Sequence, residues 1–359
     1  MRIVLAGMIA RHPLQGGATW AVLQWAIGLR LLGHDVVLVE QLPSAPTAEQ
    51  HAYAETVHRQ TGVSTLLFSG ESDGELRAKC RADLLINLSG VLRDCAILAS
   101  VPRRLYVDLD PGFTQVWHQQ GCDVGLAGHT AHASVGLAIG APQCLVPTLD
   151  LDWLPVPPPV VLDRWMPAAA TDRWAATEVG HWRSYGSPTA AGIVYGQRAH
   201  SMRRLIDLPR RSPLPITVAL GISADETTDL ADLDRGGWRL VDPGVVAGSP
   251  RAYRDFVGGS AAELGVAKSG YVASRSGWFS DRSACYLAAG RPVVAQETGW
   301  SAVLPTSAGL HAYADADGAV AALEVVVGDY ERARTAAHDV AREVLDARVV
   351  LGALLEQVG

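Results

Sequence analysis

The chain has 359 residues, 48% of them hydrophobic and 19% charged, apolar enough to bury a sizeable core and to argue against long disorder. At roughly 150 residues per domain, that length points to two domains. Thirty Lys and Arg stand against 37 Asp and Glu, a formal net charge of −7 with no basic run, so duplex DNA and anionic membrane surfaces are excluded here as general partners.

A strand is expected at Arg2–Ala6, then a loop holding Gly16-Gly17, then a helix with Trp20, Leu23, Ile27 and Leu31 on one face, ended by Gly33. With a second strand at Val36–Val39 this is a βαβ unit, the building block of a doubly wound sheet. Leu84–Leu88, Arg104–Val107 and Val124–Ala127 read as further buried parallel strands. Leu149 to Pro159 carries four prolines in five positions and should be extended, which marks a domain boundary. The pattern then restarts with strands at Thr177–Trp182, Ile216–Leu220, Trp238–Val241, Leu264–Ala267 and Pro292–Gln296, with a helix near His200–Leu205. Tyr330 to Val358 has helical spacing through Val340, Val344, Leu351, Leu354 and Leu355. The expected fold class is α/β, with two doubly wound Rossmann-like parallel-sheet domains facing a cleft. Residues 1–154 form the first domain, 155–172 a Pro-rich linker, 173–340 the second domain and 341–359 a helix packing back on the first.

The first loop lacks G-x-G-x-x-G, because Gly7 stands alone and Gly16-Gly17 come too late for a dinucleotide turn. Glu40 imitates the ribose-binding acid of a dehydrogenase, but without those glycines it reads as a plain surface carboxylate. Gly16 and Gly17 either let backbone N–H groups approach a phosphate or serve the turn alone. Asp108/Asp110 and Asp150/Asp152 each form an Asp-x-Asp pair of the kind that holds a divalent ion, and residues i and i+2 of a strand share a face. Such short pairs are common by chance, so no metal is assigned. Asp110, at a strand's C-terminal end, is the better placed for a site.

The most informative segment runs from Lys268 to Val294. Ser276 and Gly277 make a small loop, Ser280 caps a helix over Ala284–Ala289, and Gly290 ends it. A helix opening from such a loop attracts anions, with Ser283 in its first turn and Lys268 and Arg282 adding positive charge, which suits a diphosphate. Asp281 would repel phosphate and fits either as a partner for sugar hydroxyls or as a helix N-terminal charge.

The Gly-Gly loop, Leu32-Gly33-His34-Asp35-Val36 entering the second strand and Ala288-Ala289-Gly290-Arg291-Pro292-Val293-Val294 resemble GT-B fold glycosyltransferases. The resemblance implies a C-terminal domain that holds a nucleotide sugar, an N-terminal domain that holds the acceptor, and chemistry between them with no obligatory metal. It places Arg183 and Arg198 where relatives carry phosphate-binding residues. The glutamate pair of retaining relatives is missing, since Gly277 and Cys285 occupy the matching positions. Inverting relatives carry a histidine base after the first strand, a place taken by His12, with Asp110 as a partner that would orient it. His34 reads as structural, and His129 and His132, after a predicted strand, as acceptor-side candidates.

The expected function is therefore transfer of a sugar from a nucleotide-diphosphate sugar to a soluble small-molecule acceptor, in specialised metabolism such as antibiotic biosynthesis. No cofactor is expected beyond that donor. The expected partners are donor and acceptor, with no nucleic acid and no membrane span, and a homodimer is compatible. Five cysteines without C-x-x-C or metal spacing suit a reducing cytoplasm. Two alternatives share the architecture: a nucleotide-sugar 2-epimerase and a catalytically inactive scaffold subunit.

Overall fold

The uninterrupted apolar runs of β1 (Arg2–Ala6) and β4 (Leu84–Leu88) pair in parallel at the centre of one sheet, since a strand covered by helices on both faces needs no polar side. The computed structural model describes residues 1–167 and 173–358. Around that pair lie β2 (Asp35–Leu42), β3 (Thr65–Ser69), β5 (Arg103–Asp108), β6 (Ala131–Ser134) and β7 (Trp153–Pro155), giving seven parallel strands in the order β3-β2-β1-β4-β5-β6-β7. β8 (Arg173–His181) opens the second domain. A short antiparallel ribbon follows, β9 (Thr189–Ala190) with β10 (Ile193–Val194). The second sheet adds β11 (Ile216–Gly221), β12 (Arg239–Val241), β13 (Ser260–Gly265), β14 (Val293–Gln296) and β15 (Leu310–Tyr313), all parallel in the order β12-β11-β8-β13-β14-β15. The chain is thus two doubly wound parallel-sheet domains, as the element pattern led us to expect. In each, strand order reverses beside the first strand, at β1/β4 and at β8/β13, and such reversals open a crevice at the carboxyl ends of the strands.

Several elements differ from expectation. Residues 124–127 form a loop, with left-handed glycines at Gly125 (φ 73°) and Gly128 (φ 80°), and the strand comes later at Ala131–Ser134. An uncharged run reads the same in a buried loop as in a strand. The proline-rich stretch begins inside β7, the edge strand that closes the first sheet, where a proline costs no ladder bond. Of the expected linker, residues 168–172 lie outside the described residues, as does Gly359 at the end of the expected final helix.

The Gly16–Leu31 helix was expected to bury one face, yet all residues from Thr19 to Leu29 except Ala21 are buried and Leu31 is 42% exposed. The second domain covers the side that the first sheet does not. Trp20 Nε1 donates to Pro250 O (2.8 Å), Gln24 accepts from Val161 N (2.7 Å), and the Ala347–Val358 helix lies so close that a Cβ on Gly28 would come within 2.7 Å of Ala347 and Leu351. At its start Gly16 N donates to Ala247 O (2.8 Å), and a Cβ there would sit 2.3 Å from Ser249 O and 2.5 Å from Ala247 O. Gly16→Ala should therefore push the helix off the second domain. We expect a stability loss of about 1–3 kcal/mol, the usual range for overpacking, measured by urea denaturation. A wild-type midpoint in the variant would show that this contact is soft.

Candidate active site in the cleft between the domains

A cavity of about 490 Å³ lies between the β1 loop and the carboxyl ends of the second sheet, within the usual range for small-ligand sites. Its first-domain wall is Pro13 to Ala18. The Gly16–Leu31 helix opens here: Gly16 N is taken by Ala247 O and Thr19 N by Gln15 O, so the amides of Gly17 and Ala18 are the first-turn donors left to the cleft. Gly17 touches the Tyr253 ring, which a Cβ would meet at 3.0 Å.

Glu40 governs the shape of this wall. It is fully buried at the end of β2, where its carboxylate accepts from the backbone N–H of Ile9 (2.9 Å), Ala10 (2.7 Å) and Arg11 (2.7 Å). The expectation of a surface carboxylate is corrected: the loop between β1 and the helix wraps over it, and three amides replace its water. His12, the next residue, is solvent-exposed and lines a smaller cavity of about 130 Å³ with Met8, Ile9 and Leu109. The two cavities share Gln15 and Ala18.

The second-domain wall carries the charge. Glu178 on β8 and Glu263 on β13 are fully buried carboxylates. Arg198 pairs with Glu178, while Arg282 meets Glu263 (2.5 Å) and Glu178 (3.2 Å) and donates to Val179 O (2.9 Å). Burial raises the pKa of Glu178, opposed by the two arginines. Gly180 leaves room for this packing, because a Cβ there would lie 2.5 Å from Arg198 Nη1. Both arginines line the cavity with their charge already met by carboxylates.

Lys268 reaches across to the first domain. Its Nζ donates to both oxygens of Asp110 (3.1 Å each) and meets the Tyr185 hydroxyl, and it stands 4.1 Å from the Tyr185 ring centroid. Burial lowers the lysine's pKa, with Asp110 acting against it. The Tyr271 hydroxyl donates to the same carboxylate. Asp110 is held in turn by Asp108, which accepts from Asp110 N (2.9 Å), Thr114 (2.7 Å), Gln115 (2.9 Å) and Ser134 (2.8 Å). Asp108 is thus saturated by donors, and among the described residues no cluster of three acidic, His or Cys side chains suited to a metal forms.

The other expected site residues are distributed as follows. Asp281 lines the cavity, and burial raises its pKa. Ser280 caps the Asp281–Ala288 helix by accepting from Arg282 N (3.2 Å), and Ser283 is buried behind it. Ser276 and Gly277 lie away from the cavity, where their carbonyls accept from Ala138 N (3.2 Å) and Leu137 N (3.4 Å), stitching the domains together. Arg183 pairs with Glu226 (2.6 Å) outside the cavity. His129, in the loop before β6, bonds Asn87 (3.1 Å) and packs edge-on against Tyr106, and His132 on β6 sits between Tyr106 and Trp153; neither lines the cleft cavity. His12 and Asp110 are not hydrogen-bonded to each other among the described residues, because Asp110 is engaged by Lys268 and Tyr271.

Sequence reasoning passed over His181. It ends β8 on the cavity wall, and burial lowers its pKa, assisted by Arg198, Lys268 and His12. Exposed at the carboxyl end of a central strand, with its pKa lowered, this histidine is placed to accept a proton. The available signal was its position, at the carboxyl end of the strand that carries the buried Glu178.

No family model matches the chain, and no curated protein sequence matches it. Solved structures do. An α-glucosyltransferase in complex with UDP-glucose and DNA containing an abasic site is 12% identical with a TM-score of 0.64, covering 100% of this chain and 99% of that one. Anabaena HepE in complex with UDP and glucose is 12% identical with a TM-score of 0.59 over the same shares. Sucrose-phosphate synthase from Thermosynechococcus elongatus is 10% identical with a TM-score of 0.59, again over 100% and 99%. The chain has the GT-B fold. The expectation that excluded nucleic acid as a partner is corrected by the first of these structures, a chain of this fold that holds DNA. Net charge sums over a whole surface and cannot report on one face of it. Among the described residues no helix is long and apolar enough to cross a membrane.

Proposed function

We propose that this chain is a nucleotide-sugar-dependent glycosyltransferase whose donor occupies the cleft between the domains. The observation that carries the reading is the convergence, in a cavity of about 490 Å³ at the carboxyl ends of the second sheet, of the free amides of Gly17 and Ala18 with Lys268. A helix N-terminus and a lysine are what a leaving diphosphate needs as its charge develops. Asp281 and His181 then line the sugar end, and the acceptor hydroxyl enters through the adjoining His12 cavity. That cavity limits the group presented and not the molecule that carries it. Soluble small molecules of specialised metabolism are the class to screen first, beside hydroxyl groups carried on nucleic acid. Metal independence is part of the proposal.

The first test is thermal stability with UDP, dTDP and GDP at about 100 times Kd, where binding adds ~2.7 kcal/mol. A rise in Tm with one of them supports the donor site and identifies its base. A flat response to all three overturns the reading and favours the inactive-scaffold alternative. That second reading has its own support, since Arg198, Arg282 and Lys268 are all paired with carboxylates before any ligand arrives.

The acceptor base separates two histidines. If His12 is the base, His12→Ala lowers turnover by ~100-fold or more with donor affinity nearly intact. If His181 is the base, His181→Asn does so instead, and the wild-type rate falls only when pH drops below His181's depressed pKa, hence below the ordinary value near 6.5. Full activity in both variants removes protein base catalysis from the mechanism.

A further inference from the structure

Away from the cleft, a second concavity of about 300 Å³ gathers four arginines, Arg59, Arg164, Arg251 and Arg254, around Trp20 and Gln60. It shares no lining residue with the cleft. Arg59 comes from the Ala48–Thr61 helix of the first domain, Arg164 from the short turn after β7, and Arg251 and Arg254 from the Pro250–Gly258 helix of the second. No carboxylate lines the pocket among the described residues. Two stand at its rim: Glu55 holds Arg59 at 3.0 Å, while Asp255 meets Arg251 and Arg254 only at 3.7 and 3.9 Å, and both acids are mostly exposed. Four guanidinium groups thus converge with two solvent-screened acids to oppose them, in a chain whose net charge is −7. Such a cluster is relieved by an anion, and the forked donors of arginine match phosphate oxygens two at a time.

We propose that this pocket binds a ligand presenting two or more phosphates, either a free polyphosphate or the backbone of a nucleic acid. Arg59 and Arg251 grip it from opposite domains. The seam there is already closed by Arg251 N donating to Gln60 Oε1 (2.9 Å) and by Trp20 Nε1 donating to Pro250 O (2.8 Å), so the ligand fastens the two domains together. The inference does not rest on the proposed activity of the cleft.

The test is calorimetric titration of the whole protein with inorganic tripolyphosphate and, separately, with a short single-stranded oligodeoxynucleotide. The wild type is compared with Arg164→Glu, Arg251→Glu and the cleft variant Lys268→Ala. Both reversed residues are exposed, so folding should survive, and circular dichroism checks it. We expect each reversal to weaken binding at the arginine pocket by ~10-fold or more, the scale of one lost charge-assisted contact, while Lys268→Ala weakens only the separate binding in the cleft and leaves binding at the arginine pocket in place. Loss of tripolyphosphate binding identifies a free polyphosphate as the ligand. Loss confined to the oligonucleotide, with its salt dependence shallower by about one ion per arginine, identifies a nucleic-acid backbone. Binding of neither probe by the wild type, or binding that survives both reversals, overturns the proposal.

Discussion

Glu178→Ala should be the most destabilising single change in the cleft, and it should also tighten binding of a nucleoside diphosphate. Removing one partner of a buried ion pair costs about 3–5 kcal/mol, which for a domain of this size lowers Tm by roughly 10 °C. The structural reason is that Arg198 pairs with Glu178 and has only 10% of its side chain exposed, so without the carboxylate its charge is buried and unpaired. Arg282 keeps Glu263 at 2.5 Å and suffers less. The freed Arg198 still faces the cavity, so an anion placed there recovers part of the loss. A melting curve with and without UDP reads both effects. If the variant is as stable as the wild type, water already compensates Arg198. If it is unstable but gains no affinity, Arg198 does not face the phosphates.

Lys268→Ala should weaken nucleoside diphosphate binding by roughly 10- to 150-fold, the equivalent of the ~1.5–3 kcal/mol assigned to a hydrogen bond with a charged group. That lysine is paired with Asp110, so donor binding must exchange one anion for another. Asp110→Asn therefore moves affinity in the opposite direction, because it releases the ammonium without removing it. Titration of both variants by calorimetry separates the outcomes. Opposed changes in affinity place Lys268 on the phosphates, and unchanged affinity in both takes it out of the site.

What could be read beforehand divides along a physical line. β1, β4 and β11 are local patterns, short apolar runs between turn residues, and they stand where expected. β3 and β15 went unnoticed: both are edge strands, β3 half-buried along its length and β15 interrupted by His311. The cleft was legible in outline, since Gly16, Gly17, Arg198, Lys268, Asp281 and Arg282 all reach it. Its electrostatics were not. Glu178 and Arg282 are 104 positions apart in the chain, and no periodicity links them. Yet a trace existed: Ala-Ala-Thr-Glu-Val and Ala-Ala-Glu-Leu each set one carboxylate inside a strand, and a fully buried glutamate is almost always paired. Glu40 was misjudged for a related reason, as its partners are backbone amides of a loop whose path depends on the finished fold.

The Ala347–Val358 helix rests against the Gly16–Leu31 helix, with Leu351 against Gly28. During synthesis at about 5–20 residues per second, tens of seconds pass between the making of the two. Throughout that interval the first sheet can form, but the flank of its opening helix at Gly28 lacks the cover of Ala347 and Leu351. The nascent protein is thus most exposed to aggregation and to chaperones in the window before residue 347 is added. A stop codon just upstream would leave two intact sheets and a bare apolar seam rather than a shorter working protein.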